Sequence, residues 1–419
     1  MTARLRENAI AVVLALVGVA TMVWLGLYGW AWTDYDNEAR PALDALVAGH
    51  FNEFLRLAPA YGGSLELRAP FALAAPLFGG GELAIYRMVA LPCLLASAAL
   101  GVWLLSKMRS LERSTLARAA VLGLCVVNPL TLRALELGHP EDLLGAVLCV
   151  AAVLCAERDR ATWAGVLLGA AIANKEWALL AVGPVLLACP RRHLIRTTVW
   201  TVVVAAALYA PLLAATAGRS GGVPALAASH TGVIFQPWQA WWFFGQHGHV
   251  VRGLFGNLKV DYRAAPAWIS GVTRPVILAL AVVLPLAYAR LRPRAQRAAG
   301  EALLVLALIM LVRCLLDPWD TVYYPLPFVF ALVAWEGLHR AEPAVRSLAA
   351  ASIAWIVFQE LPDRISPDAQ SLAFLAVALP ATIALAVRLY RPPSVWRQPG
   401  DATRLVLGSE VNPRPAAPS

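Results

Sequence analysis

Charge is scarce in this chain. Asp, Glu, Lys and Arg together make up 15% of its 419 residues, against about 25% in a soluble globular protein, which excludes an ordinary soluble domain. Paired cysteines are missing too. The six present (Cys93, Cys125, Cys149, Cys155, Cys189 and Cys314) lie inside apolar runs and form no CxxC pair, so neither a disulfide framework nor a zinc ribbon is expected. There is no P-loop, no GxGxxG after a strand, no HExxH and no GxSxG. Any chemistry must be built from loops on a scaffold.

What is abundant is apolar residue, 59% of the chain. Runs of about 18 apolar residues or more recur along the whole length, the pattern of a polytopic membrane protein. The reading is an all-α bundle of about twelve transmembrane helices, at 9–31, 83–105, 119–133, 142–156, 162–174, 177–189, 197–216, 272–289, 300–316, 321–338, 346–360 and 369–388. The first run is too long and too aromatic at its end for a cleaved signal peptide and is read as a retained helix. The stretch 69–78, short and with two prolines, reads as a reentrant or interfacial piece. The membrane domain is placed at 1–390, and the proline-rich, polar segment 391–419 is expected to be a disordered cytoplasmic tail.

With the N-terminus inside, the inner connections carry an excess of Lys and Arg and the outer ones an excess of Asp and Glu, as the positive-inside rule requires. The net charge of +9 thus reports orientation in a membrane and not a nucleic-acid partner. Two outer segments are long, 32–82 and 217–271. The first holds "ALDALVAGHFNEFLRLAP", whose apolar residues fall at helical spacing and predict interfacial helices. The second holds four consecutive aromatics, Trp241 to Phe244, suited to the headgroup layer.

The polar clusters collect on that outer side: "TDYDNE" (33–38), "ELGHPED" (136–142), "ANKEW" (173–177) and "CLLDPWD" (314–320), with Arg68 and Arg313 nearby. Charge beside hydrocarbon is costly, so such groups face a protein or water-filled interior and usually have a function. Carboxylates can act as general base, and ammonium or guanidinium groups can hold a phosphate. The candidates are Asp36 and Asp34 for the base, with Lys175, Arg68, Arg313, His139, Glu141, Glu176, Asp317, Asp320, Trp319 and Tyr323 for substrate binding. "GHPED" also has the form of a helix start, with a proline and acids in the first turn. His247 and His249 are compatible with a metal but unspecific, and His50 and His230 stand alone. No cofactor is expected; a divalent metal is compatible with the sequence but not indicated by it.

In "YDNEARPALDALVAG", "APAYGGSLELRAPFAL", "GHPEDLLGAVLCVAAVL", "GVLLGAAIANKEWALLAVGPVLLA" and "LDPWDTVYYPLPF", in that order, the chain resembles the GT-C glycosyltransferases, and within them the bacterial family 87 mannosyltransferase-like proteins, over roughly residues 5 to 390. The resemblance implies a GT-C-like bundle in the cell membrane. It implies transfer of a sugar, mannose by analogy, from a polyprenyl-phosphate donor to a hydroxyl of a glycan or glycolipid acceptor on the extracytoplasmic face, with inversion. It also implies an acid of the first outer loop as base. Asp36 comes first, because the family motif runs from an acid through an alanine-rich helix to a later glycine, and Gly49 fits; Asp34 fits nearly as well. The competing readings are a secondary transporter or lipid flippase, and a catalytically silent relative. The spans carry almost no mid-helix charge and show no repeat between the two halves, which disfavours a transporter.

Overall fold

The computed structural model describes residues 3–27, 34–59, 61–216, 233–234, 237–252 and 259–391. The tail 392–419, His230 and the side chains of His247 and His249 lie outside the described residues. The fold is helical: α1 (Ala3–Leu27), α2 (Asp34–Glu38), α3 (Arg40–Val47), α4 (Phe51–Leu57), α5 (Gly62–Ala74), α6 (Glu82–Ser110), α7 (Thr115–Val126), α8 (Pro129–Glu136), α9 (Pro140–Glu157), α10 (Ala161–Asn174), α11 (Val182–Ala188), α12 (Leu194–Thr216), α13 (Ala267–Leu291), α14 (Glu301–Leu316), α15 (Leu326–His339), α16 (Val345–Trp355) and α17 (Pro367–Tyr390).

Among the described residues, six helical stretches are long and apolar enough to cross a membrane: 7–25, 82–110, 115–136, 191–216, 267–291 and 367–390. The third is α7 and α8 end to end, broken where Asn128 accepts a hydrogen bond from the Leu130 amide at 2.9 Å and Pro129 opens the next helix. The other expected spans fall on shorter helices. Around 177–189 the chain forms a 3-10 turn and then α11, and in 321–338 the helix starts only at Leu326. The expected piece 69–78 is the end of α5 running into a 3-10 turn.

Burial sorts the helices. Helices α14 and α15 are enclosed almost all round, while α12 and α17 bury few of their apolar side chains, as lipid-facing helices do. Lipid tails are as apolar as Leu, so helix association in a bilayer rests on close packing and hydrogen bonds. The seam between α10 and α12 is built this way. A Cβ at Gly169 would stand 2.6 Å from the Thr201 carbonyl oxygen, so only glycine permits the approach. Across the same seam the Thr197 hydroxyl donates to the Ala161 carbonyl at 3.3 Å.

Helices α2 to α5 form a separate layer over the N-terminal end of α6, with its own core of Tyr35, Leu43, Leu46, Phe54, Leu65 and Tyr86. Helix α3 ends in a Schellman turn: the His50 amide donates to the Ala45 carbonyl and Gly49 takes φ +82°. The second long segment adds a small antiparallel sheet that the apolar pattern does not foretell. Its strands are β1 (Val233–Ile234), β2 (Gln246–Arg252) and β3 (Lys259–Ala264), in the order β1-β3-β2, with Val250 opposite Asp261. Its tryptophans act as bolts more than as headgroup rings. The indole N–H groups of Trp238 and Trp241 donate to the carbonyls of Asp320 (2.9 Å) and Leu316 (2.6 Å), while Phe243 and Phe244 stay exposed. All six cysteines are free thiols, five of them buried.

Candidate functional site

Four chain segments converge at one end of the bundle: α2, the α8–α9 junction, the end of α10 and the turn between α14 and α15. Together with Tyr61 and α13, which adds Arg274, they line a cavity of about 640 Å3. Its acidic side includes Asp34, Glu38, Asp142, Glu176 and Asp317, and its cations are Lys175, Arg274 and Arg313. Tyr61, His139, Trp177, Trp319, Tyr323 and Tyr324 complete the polar and aromatic wall.

The local sequence explains why each group arrives. Helix α8 ends in a Schellman turn, with the His139 amide donating to the Ala134 carbonyl at 2.8 Å and Gly138 at φ +93°. This left-handed residue reverses the chain and delivers His139 just before Pro140 opens α9. Glu141 and Asp142 then occupy the first turn of α9, where the helix dipole favours negative charge. Lys175 lies in extended backbone between α10 and a 3-10 turn, so its side chain leaves the helix and crosses to α9.

Glu141, almost fully buried, is the hub. Its carboxylate accepts from His139 Nδ1 at 2.9 Å and from Arg68 at 3.3 Å, and pairs with Lys175 Nζ at 3.3 Å. Asp142 pairs with Lys175 at 3.4 Å and accepts from the Trp177 indole at 2.9 Å. The Lys175 ammonium also sits 4.1 Å over the Tyr61 ring, whose hydroxyl donates to Glu38 at 2.6 Å. Burial opposes the charge on Lys175, but Asp142 and Glu141 beside it outweigh burial and raise its pKa above the usual lysine value.

His139 joins the hub to the first loop, with Nε2 3.3 Å from Asp34 Oδ2. Burial alone would push its pKa down, yet the hydrogen bonds to Asp34 and Glu141 outweigh burial and lift it to about 9. At neutral pH it is therefore an imidazolium donating from both nitrogens. Its ring packs 5.0 Å from that of Tyr323. Arg313 lies between the rings of Tyr324 (4.1 Å) and Trp177 (5.1 Å). Among the described residues it makes no ion pair, which leaves its guanidinium to the cavity.

Asp34, Lys175, Arg313, His139, Glu176, Asp317, Trp319 and Tyr323 thus all line one space. Arg68 and Glu141 stand behind the wall and hold Lys175 and His139 in place. Asp320 is fully buried outside the cavity, its Oδ1 accepting from the Thr321 amide, and burial pushes its pKa well up. Asp36 is turned away. Its side chain is 3% exposed and pairs with Arg40 at 3.2 Å, whereas that of Asp34 is 54% exposed. Arg40 also engages Asp44 and Glu82, tying the first loop to α6.

Sequence reasoning passed over Glu38, Tyr61, Asp142, Arg274, Trp177 and Tyr324. For Glu38 a signal existed: it is four residues from Asp34, and residues i and i+4 share a helix face while i+2 points to the other side. His139, Glu141 and Asp142 place metal-type ligand atoms within 4.8 Å of one another. Lys175, Arg68 and the His139–Glu141 bond already satisfy these carboxylates, so the donor set is neutralised by the protein's own cations.

The sequence profile of glycosyltransferase family 87 matches residues 63–318, more than half of the chain. No curated protein matches it.

Proposed function

The chain belongs to glycosyltransferase family 87, and from that membership we propose that it moves a sugar from a polyprenyl-phosphate donor to a hydroxyl of a glycan or glycolipid acceptor. Mannose is the sugar that the family resemblance suggests. The acceptor oxygen attacks the anomeric carbon, the bond from that carbon to the phosphate oxygen breaks, and the configuration inverts. The proton goes to Asp34, and the leaving polyprenyl phosphate is held by Lys175, Arg313 and Arg274. A phosphate leaving group needs no general acid but gains from fixed cations. His139 orients Asp34 by holding one of its oxygens and leaves the other for the acceptor hydroxyl. Glu38, Glu176, Asp317, Trp319 and Tyr323 are assigned to acceptor and sugar contacts. Arg68 and Glu141 are assigned to positioning, and no metal or other cofactor takes part.

The observation that carries this reading is that a first-loop carboxylate and three cations from distant parts of the chain line one cavity. The cavity is placed on the extracytoplasmic face of the cell membrane, with both termini in the cytoplasm, following the distribution of Lys and Arg. At that depth a lipid tail would anchor the donor phosphate beside the cations. The test is transfer from a radiolabelled polyprenyl-phosphate sugar in membranes carrying Asp34→Asn. Loss of transfer with normal insertion supports the assignment, and full activity removes Asp34 as base.

A further inference from the structure

A second cavity, of about 360 Å3, lies between α14, α15, α16 and α17. It is an elongated apolar groove that runs lengthwise between these helices. One end is marked by Cys314, Pro325, Phe358 and Phe374, just behind Arg313. The other is marked by Leu304, Trp335, Arg346 and Arg388, at the opposite ends of α14 and α15 from the candidate active site. From Leu304 to Cys314 the α14 wall measures about 15 Å at 1.5 Å per residue, half of a hydrocarbon core about 30 Å thick. The groove therefore has the length of one leaflet.

Its floor is unusually smooth. Ala349, Ala350, Ala354, Ala378, Ala381 and Ala384 all face it, leaving a slot where bulkier side chains would interdigitate. The α17 flank is open to lipid, with Leu372 and Ile383 about 60% exposed. Among the described residues, the charged ones on the groove's wall are the two arginines, Arg346 and Arg388. Arg388 lies 4.7 Å over the Trp335 ring, and Arg346 (5.8 Å) and Arg340 (5.9 Å) crowd the same indole. Arg346 is paired with Glu336 and Arg340 with Glu342. Arg388, exposed at this end of the groove, makes no ion pair among the described residues.

We propose that this groove holds one anionic phospholipid of the leaflet opposite the active-site cavity, its acyl chain along the alanine floor and its phosphodiester against Arg388 and Arg346. An apolar slot of one-leaflet length that ends in a surplus of guanidinium is complementary to that ligand. A zwitterionic lipid would bring its own cation into the same cluster. The proposal is independent of the transferase reading, since it concerns the far end of the bundle.

Native mass spectrometry of the full chain tests it, after equilibration with equal amounts of 1-palmitoyl-2-oleoyl phosphatidylglycerol and the matching phosphatidylcholine. The wild type is expected to retain one phosphatidylglycerol, at least fivefold over phosphatidylcholine. Arg388→Gln should lose that preference, Arg388→Lys should keep it, and Ala381→Trp should exclude both lipids. The lipid choice of the wild type needs no variant to fold. Equal retention of the two lipids, unchanged phosphatidylglycerol binding in both Arg388→Gln and Ala381→Trp, or displacement of the bound lipid by a polyprenyl phosphate would overturn the proposal.

Discussion

The Nε2 atom of His139 stands 3.3 Å from Oδ2 of Asp34, across 105 residues of chain. This bond links the short helix that follows the first membrane span to the helix start that carries Glu141, and through Glu141 to Lys175 and Arg68. The carboxylate proposed as base is thereby held by a group whose charge depends on pH.

The two first-loop aspartates should separate cleanly by mutation. Asp34→Asn is expected to lower initial transfer rates about 10^2- to 10^4-fold, the usual worth of a general base. Asp36→Asn should keep most of the activity, because its carboxylate faces Arg40 and not the cavity. Rates per inserted molecule, with insertion checked by protease protection, decide the matter. Equal losses in both variants would contradict this assignment.

The pH dependence follows from His139. Its folded-state pKa of about 9 lies above the ordinary value of 6.5. Its stabilisation is thus fully present below about pH 6.5 and is lost as pH rises through about 9. Both transfer activity and the thermal midpoint should fall over that interval. His139→Gln should remove the alkaline step from the profiles of thermal midpoint and kcat/KM. A step that persists belongs to another group.

Lys175 and the two acids it bridges are expected to behave as a unit. Lys175→Met leaves buried carboxylates short of a cation, a change costing about 3–5 kcal/mol. Adding Glu141→Gln should recover part of that loss, so a double-mutant cycle in denaturant should show a large coupling term. Strict additivity would mean that the pair observed here contributes little.

Gly169→Val should part α10 from α12. The added carbons meet the Thr201 carbonyl and the Val204 side chain, and overpacking of this kind costs about 1–3 kcal/mol. A lower thermal midpoint in detergent, with little change in KM for the donor, is the expected result.

Chelation supplies a further check. Since protein cations neutralise Glu141 and Asp142, transfer should survive EDTA at millimolar concentration, and added Mn2+ or Mg2+ should not raise it. Activity that vanishes with EDTA and returns with a divalent ion would assign His139, Glu141 and Asp142 to a metal instead.

The helical character was legible because apolar runs are local signals, but the break at Asn128-Pro129 falls inside the expected span 119–133. The clusters around Asp34, His139, Lys175 and Asp317 were legible because charge is rare enough here to stand out. That Asp34 lines the cavity and Asp36 does not was within reach of helix geometry alone, since one turn sets Asp34 and Glu38 on a common face. Partners were another matter. The burial of Arg68 against Glu141, 73 residues away, and the sheet of the second loop depend on tertiary contacts that no local pattern encodes.

Asn174 shows what such contacts do. Its amide oxygen accepts from the Ser64 hydroxyl at 2.7 Å, and its nitrogen donates to the Glu141 carbonyl at 2.8 Å. A side chain claimed at both ends by different helices works as a rivet. The layer over the bundle cannot lift away while the floor beneath it stays whole, so heat or denaturant should dismantle the two in a single concerted event.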